Sequence, residues 1–114
     1  MKKLTVKPAW DAHDFCHWLQ ANGLSSRVAS NYASRCRRVE YNLNVCLCKE
    51  TATEERFTDL MVGIQKYAYS SAKTKESAYA LTGSLRLAAR KFAQYWAGKK
   101  ALQYPSSHGL SHYK

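Results

Sequence analysis

Apolar side chains recur at helical spacing in four separate runs along this chain. Between Trp10 and Asn22, Phe15, Trp18 and Leu19 stand at i, i+3 and i+4, with Ala12 one turn earlier, which predicts a first helix with one apolar stripe. Asp11 and Asp14 fall in its first turns, where the macrodipole favours negative charge, and Gly23 supplies a left-handed stop. Ser25 and Ser26 then offer N-caps for a second helix, in which Val28, Tyr32, Cys36, Val39 and Leu43 follow at spacings of 4, 4, 3 and 4. Asn44 to Glu50 has no period and reads as a connection containing Val45 and Leu47. Thr51 with Glu54 has the form of a capping box, so a third helix is expected from about Ala52, with Phe57, Leu60, Met61, Ile64 and Tyr67 or Ala68 as its stripe. After a polar hinge at 70–75, Ala78, Leu81, Leu85, Ala88, Phe92 and Tyr95 predict a fourth helix ending near Gly98.

The polar positions give each stripe an opposite face. On the second helix, Arg27, Ser30, Ser34, Arg37, Arg38 and Tyr41 fall opposite the stripe, with Asn31 and Arg35 on its flanks. On the fourth, Tyr79, Gly83, Arg86, Leu87, Arg90 and Gln94 do so, and Lys75 stands at its start. Gly83 is notable because a glycine inside a helix costs about 1 kcal/mol relative to alanine. It is either simply tolerated or lets a partner's backbone come close. The third helix carries Glu54, Glu55 and Asp59 in its first turns and has no cationic face.

With 114 residues, 46% hydrophobic, 5 Gly and 2 Pro, the chain suits one folded domain. The expected organisation is an N-terminal arm at 1–8, an all-α single domain of four main helices at 9–98, and a flexible basic tail at 99–114. Eighteen Lys and Arg against eight Asp and Glu give a formal charge of +10, which draws a large polyanion over a wide surface. No stretch approaches the length of a membrane span, and the start is too short and polar for a signal peptide, so a soluble, cytoplasmic protein is expected. The four cysteines are unevenly spaced, and two lie within apolar helical patterns, where a free thiol acts as a small hydrophobe.

The order Phe15-x-x-Trp18-Leu19, Gly23-Leu24-Ser25-Ser26, then Asn31-Tyr32-x-x-x-Cys36-Arg37-Arg38-Val39-x-x-x-Leu43 resembles the N-terminal core-binding, SAM-like domain of tyrosine recombinases, the phage integrases. The run from Ser77 through Leu81, Leu85, Ala88 and Phe92 is similar to that family's fourth helix. Val28 stands near where the family often has Thr, Cys36 replaces a Leu, and no catalytic domain follows. The segment His108-Gly109-Leu110-Ser111-His112 echoes the family's catalytic box, but Ser111 stands in the place of its arginine and the echo is set aside as coincidence. The resemblance implies a helical domain on duplex DNA, its second and fourth helices near the major groove, without chemistry of its own.

Candidate chemistry narrows accordingly. Outward arginines on two helices point to nucleic acid, because each cation set on a phosphate releases counterions and arginine also grips guanine edges. The candidate binding residues are Arg27, Ser30, Asn31, Ser34, Arg35, Arg37 and Arg38 with Lys75, Tyr79, Gly83, Arg86 and Arg90. Double-stranded DNA is the expected partner, with RNA or an acidic protein as the alternatives. Tyr41, Tyr69, Tyr79 and Tyr104 offer a smaller case for stacking on single strands. Cys46-x-Cys48 is off the usual zinc spacing, and His13 and His17 share a face without the H-E-x-x-H pattern, so neither metal nor cofactor is expected. The carboxylates are scattered or capping, so no enzyme is indicated.

Overall fold

The computed structural model describes residues 9–103, so the arm at 1–8 and the tail beyond 103, with Tyr104, His108 and His112, lie outside the described residues. Five helices follow one another: α1 (Ala12–Ala21), α2 (Ser26–Leu43), α3 (Leu47–Glu50), α4 (Glu54–Ser71) and α5 (Lys75–Gln103). No strand occurs among the described residues, and the helices form one all-α globule.

Local chemistry sets the boundaries. Asp11 is the N-cap of α1 and accepts from the His13 N–H at 2.9 Å, while Gly23 just past its end takes φ +100°, a conformation that strains any residue with a Cβ. Ser25 caps α2, and Asn44 closes it in the left-handed region at φ 57°. The connection at 44–50 contains α3, a single turn too short to show a period. Its Thr51 does not begin the next helix. The Thr51 hydroxyl donates back to the Leu47 carbonyl at 2.8 Å, and Thr53 caps α4 by accepting from the Arg56 N–H at 3.1 Å. Thr74 accepts from the Ser77 N–H at 3.0 Å at the start of α5, which runs five residues past Gly98.

The core is built from the stripes. Phe15, Leu19, Cys36, Val39, Leu47, Ile64, Leu85 and Phe92 are fully buried. Trp10, which precedes α1, packs its ring edge-on to Phe15 and Phe92 at 5.7 and 5.0 Å between centroids. Its indole N–H donates to Glu40 Oε2 at 3.0 Å, and the same oxygen accepts the Leu47 N–H at 2.9 Å. One carboxylate on α2 therefore ties down both the segment before α1 and the first turn of α3. Helix α1 packs on α2, α4 lies along α5, and α2 rests on α5 through the Cys36 thiol, which donates to the Ala88 carbonyl at 3.4 Å. Gly63 lets α4 approach α2, since a Cβ there would stand 3.2 Å from Leu43 Cδ2.

Two buried groups predict how the fold answers alkali. Burial, with the Glu40 carboxylate nearby, pushes the Cys36 thiol up from its ordinary value of 9.0. Burial and the 2.6 Å hydrogen bond that its hydroxyl donates to Asp14 push Tyr95 up from 10.0. Both are held neutral when folded and ionise more readily when unfolded. Their stabilising contribution is complete below those ordinary values and is lost as pH rises above them, at up to about 1.4 kcal/mol per pH unit for each group. Urea midpoints are expected to be level from neutral pH to about 9 and to fall above it, with Tyr95→Phe flattening the upper part of the decline. A midpoint unchanged well above pH 10 would show that these groups are not sequestered.

Candidate nucleic-acid interface

At 100° per residue, Arg27, Asn31, Ser34 and Arg38 fall along one line on the side of α2 away from buried Cys36, and all four are exposed. Eleven residue steps at 1.5 Å make this ridge about 16 Å long. Ser30 and Tyr41 are exposed beside it. Arg35 and Arg37 flank it, both half-buried.

Three of the four arginines on α2 are seated on aromatic rings. The Arg37 guanidinium lies 4.3 Å from the Trp10 ring centroid, Arg35 lies 5.9 Å from that of Tyr32, and Arg38 lies 6.0 Å from that of Tyr67. Arg38 Nε also donates to the Tyr67 hydroxyl at 3.3 Å, a hydrogen bond that holds this phenol below its ordinary value. None of the four pairs with a carboxylate among the described residues, where the ion pairs are Arg56 with Glu50 and Lys99 with Asp14. A ring orients a guanidinium without cancelling its charge, so these cations are positioned with their charge intact, Arg38 exposed and Arg35 and Arg37 half-buried.

Arg37 departs from the sequence reading, which placed it on the outer face. It sits one residue round from the core centre at Cys36, and Trp10 closes over it, so its Nε is buried and without a hydrogen-bond partner among the described residues. Between α1 and α2 runs a groove of about 650 Å³ whose polar lining includes His13, His17, Gln20, Ser30, Ser34 and Arg37. The His13 and His17 rings are 5.4 Å apart, yet no group of three or more His, Cys, Asp or Glu among the described residues is placed to hold a metal ion. None of Cys16, Cys36, Cys46 and Cys48 forms a disulfide.

The candidates on α5 form a separate set. Lys75, Tyr79, Gly83 and Arg90 are exposed, whereas Arg86 is half-buried and turned against α4. Its Nε and Nη2 donate to the Met61 carbonyl at 3.1 and 2.8 Å, and Nη2 donates to Gln65 Oε1 at 3.1 Å. Because the Cys36 side of α2 meets the Ala88 side of α5, the outer faces of the two helices are directed away from each other. The structure thus brings Arg27, Ser30, Asn31, Ser34, Arg35, Arg37 and Arg38 together on one side and leaves the α5 residues on another.

Sequence reasoning missed Trp10, Glu40 and Tyr67 as the supports of this surface. Glu40 carried one available signal, since it is the lone acid on a helix with four arginines. It also missed Lys99, assigned to the tail, which sits on α5 and donates to Asp14 at 2.9 Å. No family model, no curated protein and no solved structure matches the chain.

Proposed function

We propose that this protein is a non-catalytic module that binds duplex DNA through the outer face of α2, acting by occupying or remodelling a site. What carries this reading is the set of ring-seated arginines that lack carboxylate partners among the described residues, beside an exposed ridge of Arg27, Asn31, Ser34 and Arg38. An α-helix fits the DNA major groove, about 12 Å wide, where arginine and asparagine reach base edges and serines reach phosphates. The deep, narrow major groove of duplex RNA does not admit a helix in this way, which favours DNA between the two. The resemblance of residues 9–97 to recombinase core-binding domains supports an accessory or regulatory role in DNA rearrangement. Unlike the arrangement that resemblance implies, the proposed contact uses α2 without α5, because their outer faces diverge.

Fluorescence anisotropy of a labelled duplex over a salt series tests the reading. Each phosphate neutralised contributes about −0.9 to the slope of log K against log salt, so three to four arginine contacts predict a slope of roughly −3 to −4. Absence of binding at low salt, or tighter binding to an acidic protein surface than to duplex, would remove it.

A further inference from the structure

We propose that the groove between α4 and α5 is a second nucleic-acid site, one that takes a single strand, so that one molecule holds a duplex on α2 and a single strand on a different side. This goes beyond the duplex reading and stands on other residues. The groove measures about 640 Å³, and its lining includes Gln65, Tyr69, Tyr79, Gly83, Arg86 and Arg90, with no acidic residue among those that line it.

Tyr79 is 75% exposed and Tyr69 is 44% exposed, so both rings are open to stacking, the contact by which unpaired bases of any sequence are held. A duplex hides those base faces, and an acidic peptide has no use for them. The cations are fixed as well as present. Arg86 is pinned to the Met61 carbonyl and to Gln65, which leaves both hydrogens of Nη1 to meet a phosphate. Arg90 is exposed one turn further along and has no ion pair among the described residues. Gly83 lies one turn after Tyr79, and a Cβ built there meets nothing within 4 Å, so neither packing nor backbone conformation calls for glycine. A bare stretch of backbone between a stacking ring and two cations suits the close approach of a sugar-phosphate strand.

The test is anisotropy of a fluorescent oligothymidylate and, in parallel, of a labelled duplex, on the full chain and its variants. Tyr79→Ala is expected to weaken oligothymidylate binding on the order of 5- to 100-fold and to leave duplex binding within about twofold. Gly83→Ala is expected to raise the thermal midpoint by roughly 3–6 °C while weakening the oligothymidylate. Arg27→Ala with Arg38→Ala in α2 is expected to spare the single strand. The inference is overturned if Tyr79→Ala and Arg90→Ala leave oligothymidylate binding unchanged, if the α2 variant abolishes it, or if polyglutamate of equal charge competes as well as the oligonucleotide. Loss of duplex binding alone, with the oligothymidylate still held in the groove, would remove the duplex reading and leave this one standing.

Discussion

Phe92→Ala is expected to cost about 3–5 kcal/mol of stability, the range for deleting a buried phenylalanine ring. Phe92 is fully buried, and its ring centroid lies 5.0 Å from Trp10, 5.6 Å from Phe15, 5.7 Å from Tyr95 and 5.8 Å from Trp96. Its loss therefore opens a cavity where α5, α1 and the segment before α1 meet, and these cannot collapse together without unseating Trp10 from Glu40. Since small domains are stable by only about 5–15 kcal/mol, the variant is expected to melt well over 10 °C lower. The ring also sits beneath the proposed binding surface. Trp10 carries Arg37 on one side and touches Phe92 on another, so the deletion should loosen Arg37 as well. A loss below about 1 kcal/mol in urea titration would mean that α5 does not present this face to the core.

The second large effect is on binding. Arg27→Ala with Arg38→Ala removes two exposed cations from the α2 ridge and leaves the core stripes untouched. Each phosphate contact contributes about 0.9 log unit of affinity per log unit of salt, so at 0.1 M the pair is worth on the order of 100-fold, and the slope should become shallower by about 1.8. The thermal midpoint should move little, because Arg27 has no ion pair or hydrogen bond to lose among the described residues and the Arg38 contact with Tyr67 is exposed. Arg37→Ala is a different experiment. Arg37 is half-buried against Trp10, so its removal mixes lost packing with lost charge. Duplex affinity unchanged by the Arg27 and Arg38 pair would place the contact elsewhere.

Much of this fold is legible in the sequence because its stripes are long. Phe15 to Leu19, Tyr32 to Val39, Leu60 to Ala68 and Leu85 to Tyr95 each repeat over successive turns, and each lies in the core. α3 is not legible, since four residues cannot display a period and Leu47 is buried by its neighbours rather than by a stripe. The sequence puts the start of α4 about two residues early because Thr51 with Glu54 has the form of a capping box, which Thr53 with Arg56 lacks; in the structure the Thr51 hydroxyl turns back to α3 and Thr53 makes the cap. The end of α5 was set too early at Gly98 and its two following lysines. Asp14 on α1 draws in Lys99 and Tyr95 together, which no single helix pattern reveals.

The candidate surface was half legible for a related reason. A hydrophobic pattern reports which side of a helix faces inward, so Arg27, Ser30, Asn31, Ser34 and Arg38 could be placed outside from spacing alone. It does not report how one helix is turned against another. That α2 and α5 meet through Cys36 and Ala88, and so look apart, is a tertiary fact. The ring seats of Arg37 and Arg38 come from Trp10 and Tyr67, which are 27 and 29 positions away in the chain, the latter as a direct hydrogen-bond partner.

Amide chemical shifts of the isotope-labelled chain, followed as an unlabelled DNA duplex is added, locate the contact residue by residue. The largest changes are expected along α2 at Arg27, Asn31, Ser34 and Arg38 and in the flanking Arg35 and Arg37, with Tyr79, Gly83 and Arg90 on α5 unmoved. Changes centred on α5 with α2 silent, or spread evenly over the lysines of the whole surface, would contradict a duplex seated on the ring-held arginines.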